Sequence, residues 1–303
     1  MASITLSFHS EALERTVPLR ALVPLEDAPH VPMPALYLLH GLYGSEQDWF
    51  QYTRVMLWAR AKGLAVFCPA GENGFYVNQA DTGEAYMRYV GEELPAFTRR
   101  LFPLSSRRED TFIAGLSMGG YGALNAGLTY PETFGKVAAL SAALRPWKRM
   151  DKPQGGCVQR PAYARALFGQ DTEPWDTLTL ARQCGARAPE LWLSCGAQDD
   201  LLEENIALAR EFVQRQFVGK GMIADLAIHL PDKEGGIPNP HFHVMTTMRP
   251  LNADGSFGAK LRREYVLDEN GDRIRDEHGN YVFNAVHTTD WHEPETLEAW
   301  REA

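Results

Sequence analysis

Thr111-Phe112-Ile113-Ala114-Gly115-Leu116-Ser117-Met118-Gly119-Gly120-Tyr121-Gly122-Ala123 is the stretch from which the rest of the chain can be read. The apolar run Thr111 to Ala114 reads as a strand, and Tyr121 to Leu128 as a helix. Between them glycines flank Ser117 at G-x-S-x-G spacing. A serine on so sharp a strand-to-helix turn stands clear of the sheet, and the glycines let backbone and ligand come close. Small residues also make purely structural strand-to-helix turns. Taken alone, the string leaves a nucleophile and a packing turn both open.

Working outward, strand and helix alternate. Ile4 to Phe8 and Thr16 to Val23 read as an antiparallel opening pair, and Ala35 to Leu39 as a central strand. That strand ends in His40-Gly41-Leu42-Tyr43-Gly44, either a simple turn or a loop whose N–H groups face a ligand. With Ser117 present, the backbone N–H groups of Leu42 and Met118 are candidate oxyanion donors. Trp49 to Lys62 reads as a helix, Ala65 to Cys68 as a strand, Tyr86 to Arg100 as a helix and Val137 to Ser141 as another buried strand. The aromatic loop Pro69 to Asn78 is expected to wall a substrate pocket. The alternation predicts a mostly parallel, doubly wound α/β sheet covered on both faces. The rhythm lapses over 145–188, where a small cap is expected, and resumes with Glu190 to Gly196. Asp199 and Asp200 follow that strand, placed either to orient a catalytic histidine or to cap a helix.

At 303 residues the chain can bury a sizeable core, and 45% hydrophobic with 23% charged residues is ordinary for a globular protein. A formal charge of −9 argues against a dedicated nucleic-acid partner. Cys68, Cys157, Cys184 and Cys195 make no metal-type or redox pair and read as buried thiols. No secretion signal opens the sequence and no apolar run spans a bilayer, so a cytoplasmic protein without a membrane partner is expected.

From Met1 to about Leu202 the chain resembles the esterase D-like α/β-hydrolases, in particular the bacterial tributyrin or short-chain acyl esterases. The resemblance rests on Leu38 to Gly44 with Asp48-Trp49, on Gly74 to Asn78, on Glu92 to Pro95, on Gly115 to Ala123 and on Cys195 to Asp199. It implies an α/β-hydrolase fold and hydrolysis of short acyl esters of small molecules, with Ser117 as nucleophile, Asp199 as the acid and no cofactor. Asp200 stands where that family usually has an apolar residue. The family's histidine sits in a His-x-Trp segment past the last strand, and no such segment occurs at the expected place.

The tail changes character from about Glu204. Ile206 to Phe217 reads as an amphipathic helix, Met222 to His229 as a strand and Asn239 to Pro250 as an antiparallel return strand. On paired strands His241 and His243 share a face beside His229, a spacing that can bind a divalent metal. Roughly residues 205–301 resemble the MobA/MobL plasmid relaxases, through Phe217 to Asp225, the His-x-His strand, Arg249 to Asn252 and Thr288 to Trp291. That resemblance implies a metal held by His229, His241 and His243, while the family's N-terminal nucleophilic tyrosine has no counterpart here.

The sequence therefore reads as an esterase domain over 1–203 joined to a relaxase-like α+β appendage over 204–303. The appendage is expected to replace the last helix and strand of the hydrolase sheet and to supply the base. His241 is chosen for that role, with His229, His243, His287 and His292 as the other candidates. The main expectation is a serine carboxylesterase. The alternatives are a metal-binding, nucleic-acid-interacting remnant, or a tail that serves as an arm in a homo-oligomer.

Overall fold

The computed structural model describes residues 1–25, 32–150, 160–184, 187–196, 198–216, 224–229, 241–246, 252, 256–259, 261–269 and 271–289, with the backbone only for 224–229 and 241–246. By backbone contacts the chain divides into two units. The first comprises Met1–Leu208 with His229–His241 and Glu302–Ala303, the second Ala209–Ile228 and Phe242–Arg301.

The first unit is built on a seven-stranded sheet. Its strands are β1 (Ala2–Ser10), β2 (Arg15–Val23), β3 (Ala35–Leu39), β4 (Ala65–Pro69), β5 (Thr111–Leu116), β6 (Lys136–Leu140) and β7 (Glu190–Ser194), in spatial order β1-β2-β4-β3-β5-β6-β7. β1 and β2 are antiparallel, as their period-2 sequence requires, and β3 to β7 run parallel. The chain places β4 on one side of β3 and β5 on the other, so the order reverses at β3. In an open parallel sheet the crevice for a ligand lies at the carboxyl ends of the strands that flank such a reversal. Here those ends carry Leu42 and Ser117.

The helices are α1 (Asp48–Tyr52), α2 (Val55–Lys62), α3 (Tyr86–Arg88), α4 (Leu94–Leu101), α5 (Met118–Thr129), α6 (Pro161–Phe168), α7 (Thr177–Cys184) and α8 (Leu202–Gln216). Two expected helices are interrupted, each for a local reason. Thr53 turns extended (φ −133°, ψ 173°) between α1 and α2. Its hydroxyl donates to Trp49 O and accepts the Val55 N–H at 3.2 Å, competing with the helical ladder. Between α3 and α4 the helix opens into a π turn, Tyr89–Glu93, just before Pro95, which has no N–H to give. The second half of the expected cap is α7, which packs along α5 as part of the helical layer.

α5 follows Ser117 and is buried from Met118 to Leu128 on every side, as its unbroken small and apolar sequence dictates. Its first turn approaches β3 with no room for side chains. A methyl group built on Gly119 would stand 2.4 Å from Leu39 O and 2.6 Å from His40 O, and one on Gly115 would stand 2.3 Å from Gly119 O.

The sheet corrects one expectation. β8 (Ala224–His229) pairs with β9 (His241–Thr246) in a separate two-stranded sheet and does not extend the hydrolase sheet beyond β7. Among the described residues β7 is the last strand of the hydrolase sheet, and Trp192 on it is 51% exposed. The helix of the tail begins inside the first unit, because Leu208 is buried in its core and Asn205 Nδ2 donates to Ala142 O at 2.9 Å. In the second unit, β10 (Leu261–Tyr265) and β11 (Phe283–His287) form an antiparallel pair. The chain between them turns twice, with Gly271 N donating to Asp268 O at 3.1 Å and Gly279 N to Asp276 O at 3.0 Å.

Gly119→Ala is predicted to lower stability by roughly 1–3 kcal/mol or to prevent folding, since its methyl meets backbone rather than a yielding side chain. A urea midpoint unchanged from the wild type contradicts that packing.

Candidate active site

Ser117 sits between β5 and α5 with φ 57° and ψ −113°, a backbone that a residue with a side chain rarely adopts. Three hydrogen bonds hold it there. Ser117 N donates to Leu140 O at 2.8 Å, while Ser117 O accepts the N–H of Tyr121 and of Ala143, both at 3.0 Å. The turn is thus clamped to β6 on one side and to the first turn of α5 on the other. Ser117 is partly exposed, whereas Met118 and Gly119 behind it are buried. The Met118 N–H belongs to the first turn of α5, where helix N–H groups have no intrahelical acceptor and the dipole favours negative charge.

The loop after β3 comes close to the serine. A methyl on Gly41 would lie 3.7 Å from Ser117 Cβ and 3.4 Å from Leu116 O, so Gly41 borders the serine directly, with Leu42 next in the chain. The loop is fixed by its neighbours. His40 is buried, and its Nε2 accepts the Gly71 N–H at 2.8 Å, which leaves Nδ1 to donate to Gly41 O at 2.7 Å. Tyr76 Oη donates to His40 O at 3.2 Å, Trp49 Nε1 donates to Leu39 O at 3.0 Å, and Tyr43 N donates to Asn73 Oδ1 at 2.9 Å. In the loop from Pro69 to Asn78, Phe75 and Tyr76 are buried at positive φ (52° and 56°). Tyr76 braces the loop after β3 through His40 O, while the Phe75 ring packs on Tyr121 and Phe168. Burial pushes the Tyr76 phenol well above its ordinary value. His40 and Tyr76 had no site role in the sequence reading; the adjacency of His40 to Gly41 was the only signal for the first.

Asp199 lies beyond β7, at the same carboxyl edge of the sheet as Ser117 and two strands away. Its Oδ1 accepts the Leu201 N–H at 2.9 Å and its backbone O accepts the Leu202 N–H at 3.0 Å, just before α8. Asp199 thus makes a local turn just ahead of α8. Burial, with the Asp199 charge as a further cause, raises the Cys195 thiol above its usual value. Asp200 is exposed, and its carbonyl accepts from the Arg149 guanidinium.

The cap is tied to the nucleophile helix. Tyr121 Oη and Asn125 Nδ2 donate to Trp175 O at 2.8 and 2.9 Å, Thr177 Oγ1 donates to Asn125 Oδ1 at 2.7 Å, and Arg145 pairs with Asp176 at 2.5 Å.

The structure brings Gly41 against Ser117, with Met118 following the serine at the start of α5 and Leu42 following Gly41 in the loop. The side chains of His229, His241 and His243, like all of His292, lie outside the described residues, and His287 is on β11 of the second unit. Cys68, Cys184 and Cys195 are buried free thiols as expected, and Cys157 lies outside the described residues. Among the described residues no helix is long and apolar enough to cross a membrane, and no group of metal-ligating side chains occurs.

His40→Leu is predicted to strand the buried Gly71 N–H, costing roughly 1–3 kcal/mol, and to lower kcat more than it raises KM by loosening the Gly41–Leu42 backbone. Denaturation and steady-state kinetics on one preparation check both halves; a KM-only effect contradicts the second.

Comparison with known proteins agrees with this architecture. Residues 10–218 match the family described as "Putative esterase", and residues 201–303 match the MobA/MobL family. The acetyl esterase of Caldicellulosiruptor saccharolyticus is 35% identical over 225 residues, covering 68% of this chain and 84% of that protein. The solved structure of FphF, a fluorophosphonate-binding serine hydrolase of Staphylococcus aureus, superposes with a TM-score of 0.63 at 30% identity over 71% of this chain and 86% of that one. The tail is 47% identical over 81 residues to the conjugal transfer protein TraA of Agrobacterium fabrum, 27% of this chain but only 7% of that relative. With its doubly wound sheet, its strained serine turn and these matches, the chain belongs to this esterase family of α/β-hydrolases and is a carboxylic ester hydrolase.

Proposed function

We propose that the chain hydrolyses short-chain acyl esters of small alcohols through an acyl-enzyme on Ser117. The observation that carries this is the strained Ser117 backbone with Gly41 directly beside it. Ser117 Oγ attacks the ester carbonyl while a histidine takes its proton, and the N–H groups of Leu42 and Met118 receive the charge that forms on the carbonyl oxygen. Collapse expels the alcohol with the proton returned from the histidine, and water repeats the sequence to release the acid. Asp199 orients the imidazole and stabilises its charged form, using the carboxylate oxygen that Leu201 N–H does not occupy.

The histidine is His241. Support comes from the backbone grouping: His241, the first residue of β9, and His229, the last of β8, fall with the Ser117 unit, whereas His243 and His287 fall in the second. Ester hydrolysis by this route uses no cofactor.

A second reading of the same histidines is favoured by the TraA identity and the MobA/MobL match over the tail. His241 and His243, two apart on β9, would together with His229 hold a divalent metal. Metal content of the purified chain, and hydrolysis before and after chelation, separate the two: bound metal whose removal leaves turnover intact assigns the histidines to the tail's ancestry rather than to catalysis.

Ser117→Ala is predicted to reduce hydrolysis of 4-nitrophenyl acetate by about 10⁴-fold or more with KM little changed. Among alanine substitutions at His229, His241, His243, His287 and His292, that at His241 should match it. Full activity in Ser117→Ala overturns the mechanism; full activity in His241→Ala overturns only the choice of base.

A further inference from the structure

Helix α2 is turned the wrong way round for a surface helix. A helix on a sheet normally buries its large apolar residues and exposes its polar ones. α2 buries only Val55 and Ala59 and leaves Met56, Leu57 and Trp58 exposed by 46%, 62% and 62%. Tyr52, at the end of α1, is 80% exposed, and Tyr43, on the loop beside the active serine, is 64% exposed. Five large apolar side chains thus stand outward along one connection, from the active-site loop to the far end of α2. A cluster of this kind marks an interaction surface.

Its charge identifies what it takes. In a chain whose formal charge is −9, the stretch from Gln51 to Lys62 holds three cations, Arg54, Arg60 and Lys62, and no carboxylate; the two carboxylates of the whole connection, Glu46 and Asp48, lie ahead of it, and Asp48 is taken up by Ser45. All three cationic side chains belong to exposed residues. A second copy docking through this face by two-fold symmetry would bring the cation-rich α2 patch against the same patch, which disfavours the pairing. A nucleic acid would use the cations but leave Met56 and Leu57 without an apolar partner. Aromatic and aliphatic side chains interleaved with Arg and Lys, on a short helix lying flat, are the chemistry of adsorption to an anionic lipid surface. Trp and Tyr sit at headgroup depth, Met and Leu reach the acyl boundary, and the cations meet the lipid phosphates.

We propose that the α1–α2 face is an adsorption surface for anionic bilayers, holding the hydrolase on the membrane with its Tyr43 edge towards the lipid. No spanning segment is needed for this mode of binding.

The test is co-sedimentation of the full chain with vesicles of phosphatidylglycerol and phosphatidylcholine, and with vesicles of phosphatidylcholine alone. The wild type should pellet with the mixed vesicles, at least about tenfold more weakly with the neutral ones, and less as salt is raised. Leu57→Ser/Trp58→Ser should abolish pelleting, and Arg54→Gln/Lys62→Gln should weaken it, both with 4-nitrophenyl acetate hydrolysis unchanged as proof of an intact fold. The proposal is overturned if the wild type stays in the supernatant, or if Leu57→Ser/Trp58→Ser pellets as the wild type does. It is equally overturned if light scattering shows a wild-type dimer that this double variant dissociates, since a second copy then covers the face.

Discussion

The absence of a side chain at Gly119 is the constraint on which the site depends. With hydrogen alone at that position, the first turn of α5 can press against the carbonyls of Leu39 and His40, where a methyl would be 2.4 and 2.6 Å away. That approach sets how sharply the chain must turn between β5 and α5, and the turn forces Ser117 to φ 57°. It also draws the loop after β3 against the serine, so one packing contact assembles a nucleophile position and the backbone beside it. The strain at Ser117 is borne by its bonds to Leu140, Tyr121 and Ala143 and by the buried length of α5.

Around this contact the second tier is polar and buried. His40 links Gly71 to Gly41 through its two ring nitrogens, and Tyr76 holds the His40 carbonyl. Both decide where the N–H groups of the loop point, and in a dry site such fixed dipoles contribute more than in water. The cap is fastened to the same helix through Tyr121, Asn125 and Trp175 O, so α5 carries the serine at one end and the cap's anchor along its flank.

Much of this was legible in the sequence. The strands from Ala35 to Leu39 and from Thr111 to Leu116 are short apolar runs bounded by glycines, and the elbow announces itself by spacing. Local exceptions were not legible, because they turn on single groups: the Thr53 hydroxyl that splits a helix, and Pro95, which opens a π turn. The inward turn of Phe75 and Tyr76 was equally hidden, since an aromatic loop reads the same whether its rings line a pocket or fill a core. The largest difference lies at the junction. A helix followed by a buried strand fits the end of a hydrolase sheet by pattern, but pairing is a property of two strands, and β8 has β9 as its partner. Periodicity along one segment carries no information on that choice.

The central claim is that the esterase domain carries an activated Ser117 whose base, His241, is supplied by the relaxase-like tail. Activation, as distinct from mere exposure, is what an organophosphorus fluoride reports, because only a serine with a working base reacts quickly. Intact-mass analysis and peptide mapping after brief treatment with diisopropyl fluorophosphate therefore test the claim most directly. The account predicts one adduct per chain, on the peptide containing Ser117, formed quickly in the wild type and slowly in His241→Ala. An unmodified Ser117, or an adduct on another residue, contradicts it.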